Sequence, residues 1–140
     1  MDRPNQILTM VAAHMGKQPD QIDPATLFGK GRLEGDDADE FWAAFATEFT
    51  VDLSDLRPYL HYDANEPPGW RTAWGIGPDG HRLPDIPINL ADLHSAAAVG
   101  KWPMIYPAHR LHERRLLTPV ALPVLLGLAV LYLLWSTVPH

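Results

Sequence analysis

The chain has 140 residues, 46% of them hydrophobic and 20% charged, which suits one small folded domain and lies outside the composition of disordered or fibrous chains. Its formal charge is -6, and between Glu34 and Glu66 ten acidic residues face the single basic Arg57, so a nucleic-acid partner is not expected. No cysteine is present, which removes disulfides, thiolate metal sites and cysteine nucleophiles together.

The opening MDRPNQILTMVAAHMG is too polar for a secretory signal, and none is expected. It instead places Ile7, Val11 and Met15 on one face, with Leu8 beside them, predicting an amphipathic helix over 5–15 that Gly16 stops. A turn-rich stretch through Pro19, Pro24, Gly29, Gly31 and Gly35 follows, fastened to the core by Ile22, Leu27 and Leu33. The second helix carries the clearest signal. Asp37 as N-cap and Glu40 three residues on form a capping-box pattern, and Phe41, Phe45 and Phe49 recur every four residues. Trp42 and Ala46 widen the apolar stripe, leaving Ala43, Thr47 and Glu48 toward water. Val51 and Leu53 continue as an extended exit, and a short helical piece around Pro58 runs from Leu56 to Tyr62.

Between Asp63 and Pro87 five prolines and four glycines interrupt any sustained period, predicting a long loop excursion. A short hairpin is expected within it at Pro78-Asp-Gly80, with Trp74-Gly-Ile76 and His81-Arg-Leu83 as arms. Asn89, supported by Asp92, caps a third helix whose inner stripe is Leu90, Leu93 and Ala97 and which Gly100 ends.

Residues 103–115 read as a basic juxtamembrane linker, because Lys101, Arg110, Arg114 and Arg115 outweigh Glu113 just before an uncharged run. That run, LLTPVALPVLLGLAVLYLLW over 116–135, is expected to be a transmembrane helix, since twenty residues at about 1.5 Å each cover a hydrocarbon core of roughly 30 Å. Pro119 and Pro123 weaken its first turns, so ordered helix is expected from near Pro123. The arginines before the run and the uncharged tail 136–140 after it then place a single-pass protein in the inner membrane with its N-terminal domain in the cytoplasm. Trp102, Tyr106, Arg110, Arg114, Arg115 and Trp135 are the expected membrane-interface residues, with the lipid bilayer as a partner.

The order of helix, pinned loop, acidic helix, short helical piece and closing helix resembles the acyl carrier protein fold. Leu33-Glu-Gly-Asp-Asp37-Ala is similar to the carrier "LGxDSL" site, and Phe49-Thr-Val-Asp52 to its "F-x-V-x-I" exit. More closely, GDDADEF, the FxVD after it, the tyrosine-rich segment before Glu66, Ile88-Asn-Leu-Ala-Asp-Leu93 and Gly100-Lys-Trp102 resemble the bacterial domain-of-unknown-function family numbered 1493. The resemblance spans about residues 4–102 and implies an all-α, acyl-carrier-like bundle as residues 1–102. It departs at one position. A carrier's phosphopantetheine hangs from a serine hydroxyl by a phosphodiester, and the carboxylate of Asp37 cannot form that linkage. No cofactor is therefore expected, and Ser54 and Ser95 stand away from the required helix start.

Other constellations carry less. Asp36, Asp37, Asp39 and Glu40 lack the alternating oxygens of a calcium loop, and His109-x-x-His112, read on one helix face, finds no third ligand, so no metal is expected. No serine lies in a nucleophile-elbow context, and no catalytic residue is assigned. The expected function is non-enzymatic. A membrane-tethered, carrier-like domain docks a cytoplasmic or membrane protein with a basic surface through Asp36, Asp39 and Glu40. The alternative is a small-ligand protein or enzyme that uses Trp70, Trp74 and His81 of the 63–87 loop as a lid.

Overall fold

In the computed structural model, which describes residues 2–63, 71–114 and 121–137, helix α1 runs Arg3–Met15. The Asp2 side chain accepts from the Asn5 amide, Pro4 occupies the first turn where no donor is lost, and Gly16 at φ 65° ends the helix. Ile7 and Val11 are fully buried, as the spacing predicts, and Met15 packs partly buried against the same core. A single 3-10 turn at Pro19–Gln21 opens the loop, in which Ile22, Leu27 and Leu33 are buried as expected. Phe28 joins them, its ring stacked on Trp42 at 4.8 Å and on Tyr62 at 5.2 Å.

Helix α2 spans Gly35–Phe49 and buries Ala38, Phe41, Trp42 and Phe45 while Ala43, Thr47 and Glu48 stay exposed. The expected capping box does not form. The helix starts three residues earlier, with Glu34 at the cap position making no side-chain cap bond, so Asp37 lies inside the first turn. Gly35 at φ 55° reverses the chain at that point, a conformation open to glycine, and this moves the start. A 3-10 turn at Pro58–Leu60 follows, and α3 covers Leu90–Val99 with the full reciprocal capping box of Asn89 and Asp92 and with Gly100 at φ 83°. Leu93, Ala96 and Ala97 face the core, and α1, α2 and α3 together enclose it with the loop pins and Ile88.

The fold is not all-α. Strands β1 (Ala73–Ile76) and β2 (Arg110–Glu113) pair antiparallel, with Trp74 opposite His112 and Ile76 opposite Arg110. The sequence hid them because each is four residues long, too short to display a period, and their pairing is non-local. The expected turn at Pro78-Asp-Gly80 does form, with the Gly77 amide on the His81 carbonyl at 2.9 Å, but its second arm adds only an Ile76–Arg82 bridge and the Leu83 amide on Gly75. The regular ladder of β1 goes to β2. Side chains alternate across the sheet, and the Gly75 face is pressed against the domain: a Cβ there would lie 2.5 Å from Leu60 Cδ2. The 103–115 stretch is accordingly no free linker, because its described part, to Arg114, belongs to the packed unit.

Helix α4 runs Ala121–Ser136 and contains Pro123. Its apolar side chains from Val124 to Trp135 are exposed. The single-pass reading does not stand. At 16 residues α4 is about 24 Å long, and among the described residues no helix is long and apolar enough to cross a membrane. The inner-membrane placement derived from a span over 116–135 falls with it, and residues 116–120 of that run, with Pro119, lie outside the described ones.

Thr50 closes α2 at φ 54° and is a non-glycine residue in the left-handed region. A β-branched residue there carries about 1 kcal/mol of strain, and Thr50 is exposed, so little packing depends on it. Replacing it by Asn, which tolerates this conformation, is expected to raise unfolding stability by about 0.5–1 kcal/mol, read as a higher urea midpoint at unchanged slope.

Candidate docking faces and the buried hydroxyl network

Because α2 buries its Ala38–Phe41–Phe45 stripe, the opposite side of its first turns must face water, and Asp36, Asp37, Asp39 and Glu40 are all exposed. The carboxylates complement the positive end of the helix dipole. The Asp39 carboxyl is held above the usual carboxylate range, first by partial burial and then by the neighbouring charge of Asp36. Asp37 presents a carboxylate to solvent.

The residues expected at a membrane interface divide. Arg110 and Arg114 are exposed on and beside β2, Trp135 is exposed on α4, and Arg115 lies outside the described residues. Trp102 is not an interface residue: it is 2% exposed, its ring edge-on to Trp42 at 5.4 Å, because the strand-like bond of its amide to the Asp52 carbonyl turns it into the core. Tyr106 is drawn inward too. Its hydroxyl accepts from Trp102 Nε1 at 2.8 Å and from the Arg57 amide at 3.3 Å, and lies 2.7 Å from His61 Nε2. His61 Nδ1 lies 2.8 Å from the Ile86 carbonyl, which only accepts, so Nδ1 carries the proton and Nε2 receives the Tyr106 hydroxyl proton. That hydroxyl therefore uses its donor and both lone pairs. Burial holds the His61 imidazole below its ordinary value despite the Ile86 bond and the charges of Asp92 and Asp85, and burial pushes the Tyr106 phenol up. Nothing periodic in the sequence marks this group; the available signal was a histidine enclosed by tyrosines in Pro-Tyr-Leu-His-Tyr62.

On the sheet, the alternation places Trp74, Ile76, Arg110 and His112 on the face opposite Gly75, with Thr72 and Arg114 in line beyond them. The Arg82 guanidinium lies 5.5 Å from the centre of the Trp74 ring, and the His112 ring lies 4.6 Å from it. His109 sits on the other side, its Nε2 2.9 Å from the Tyr59 hydroxyl and its Nδ1 2.8 Å from the Pro107 carbonyl. The expectation that His109 and His112 share a helix face fails because the segment is extended and points them apart. Among the described residues no group of three or more His, Cys, Asp or Glu side chains is placed to hold a metal ion.

The lid alternative gains no geometry. Trp70 lies outside the described residues, Trp74 is covered by Arg82 and His112, and His81 is an exposed turn residue. The open concavity beside that turn, about 470 Å³, is walled by Ile76, Gly77, Pro78, Ala108, His109 and Arg110 without Trp74 or His81. Ser54 is spent in a turn, its amide on the Asp52 carboxylate, and Ser95 lies exposed within α3. Compared with known proteins, the chain matches no family model, no curated protein and no solved structure.

Removing the Tyr106 hydroxyl strands two donors and the His61 acceptor, so Tyr106→Phe is expected to cost about 1–3 kcal/mol in urea unfolding. The His61 value is lower folded than unfolded, where it is about 6.5, so its contribution is complete above pH 6.5 and is lost as pH falls through the folded value. Urea midpoints at pH 8 and pH 5.5 should show this loss in the unmutated chain. His61→Gln keeps an acceptor for Tyr106 but cannot titrate, and its loss between the two pH values should be smaller.

Proposed function

We propose that this is a carrier-like protein-interaction domain without phosphopantetheine, which docks a basic partner surface through the acidic first turns of α2. The observation that carries the reading is the exposed group Asp36, Asp39 and Glu40 on a helix whose other side is fixed in the core. Like charges held together at the surface repel, and an arriving cation relieves that repulsion, so the arrangement favours capture of positive charge. A rigid helix also presents the charges in fixed geometry at little entropic cost. The resemblance to carrier proteins supports the same reading, since Asp37 lies in the first turn of α2 and replaces the one atom that the prosthetic group needs.

Reversing Asp36 and Asp39 to Lys, with Asp37 kept, should leave helicity by circular dichroism nearly unchanged, because exposed substitutions cost within about 0.5 kcal/mol and the dipole adds a few tenths. Affinity capture and crosslinking are then compared for the unmutated and reversed chains. The partner set is expected to be lost on reversal and to weaken as salt rises. An identical partner set from both chains would sink the reading and leave the acidic turn as a solvated face.

A further inference from the structure

The acidic half of the molecule has a counterpart on its own chain. The sheet face opposite Gly75 carries Arg110 and His112, with Arg114 in line and Arg82 lying over the Trp74 ring. The positions on that face, 72, 74, 76, 110, 112 and 114, hold no carboxylate, and Glu113 falls on the opposite side. Arg82, Arg110, His112 and Arg114 are exposed, whereas the Gly75 side is closed by Leu60, so this face points away from the domain. In a chain of net charge -6 such segregation leaves a cationic surface and an anionic one on the same molecule.

We propose that the outward face of β1 and β2 receives the acidic first turns of α2 from a second copy of this chain. The inference rests on the reading of α2 as a docking element and deepens it by naming the partner. Charge complementarity selects this occupant. Asp36, Asp39 and Glu40 meet Arg110 and Arg114, and guanidinium groups fitted to carboxylates give the fork-shaped, charge-assisted hydrogen bonds that fix register as well as attraction. Trp74 and Ile76 lie on the same face beside the arginines. The two patches are different, so the contact is head-to-tail, and each added copy leaves one acidic turn and one cationic face available for the next.

The test is sedimentation velocity of the full chain in a non-ionic detergent, which masks the apolar surface of α4 and leaves charge pairing intact. The unmutated chain is expected to self-associate, and to do so about tenfold more weakly when salt rises from about 0.05 to about 0.5 M. Asp36→Lys with Asp39→Lys, and separately Arg110→Glu with Arg114→Glu, should each abolish that salt-sensitive association while circular dichroism stays native. An equimolar mixture of the two variants should restore it, since each reversed patch then meets its new complement. A monomeric or salt-insensitive unmutated chain, or a mixture that does not regain association, overturns the proposal. If association fails while the aspartate reversal still abolishes capture of other proteins, α2 docks elsewhere and only this inference falls. Failure of both removes the underlying reading as well.

Discussion

The saturated hydroxyl of Tyr106 is the constraint on which the C-terminal half of the domain depends. A phenol can donate one hydrogen bond and accept two, and here Arg57, Trp102 and His61 take all three. Through them it joins the Pro58–Leu60 turn, the segment after α3 and, by way of His61 and Ile86, the chain leading into α3. Polar groups so deep among aromatic rings are tolerable only when every one is satisfied, which leaves the strap from Lys101 to His109 a single seating. The seating in turn sets where β2 starts, and so which side of the sheet faces outward.

The aromatic cluster supports that network from the other flank. Phe28, Phe41, Trp42, Phe45 and Tyr62 interlock by stacked and edge-on contacts, and Trp42 Nε1 donates to the Tyr62 hydroxyl at 2.9 Å. Burial raises the Tyr62 phenol far above its ordinary value, so it stays protonated as a fixed polar point in an otherwise apolar core. Together the two hydroxyls give a small domain without disulfides a unique arrangement for its large rings, where apolar contacts alone would tolerate several.

The helices were legible because their signals are local. Four-residue spacing in α2, glycine after α1 and α3, and the Asn89–Asp92 box all act within one or two turns, and the loop pins declared themselves as isolated apolar residues among turn formers. The errors came from features whose cause is distant in sequence. Strand β2 looked like a linker because its charged residues are paired by β1, more than thirty positions earlier. Trp102 and Tyr106 looked like interfacial aromatics because the histidine that claims them lies at position 61. The start of α2 was misplaced by three residues because a glycine conformation outweighed a strong capping residue. The long apolar run was read as a membrane span from its length and its lack of charge, and the helix described in it is shorter than that count.

The separation of β1 from β2 also orders events in time. The sheet forms only when the strap closes over a loop that contains all of α3, a closure of more than thirty residues. Strand pairing that buries little is also the first to open, so the sheet is less protected than the core beneath. A molecule caught with the sheet open keeps its helices, and its acidic α2, yet has no continuous cationic face. Charge segregation is thus a property of the finished fold and not of the chain, and a half-folded copy has an acidic turn to offer but no face on which to receive another.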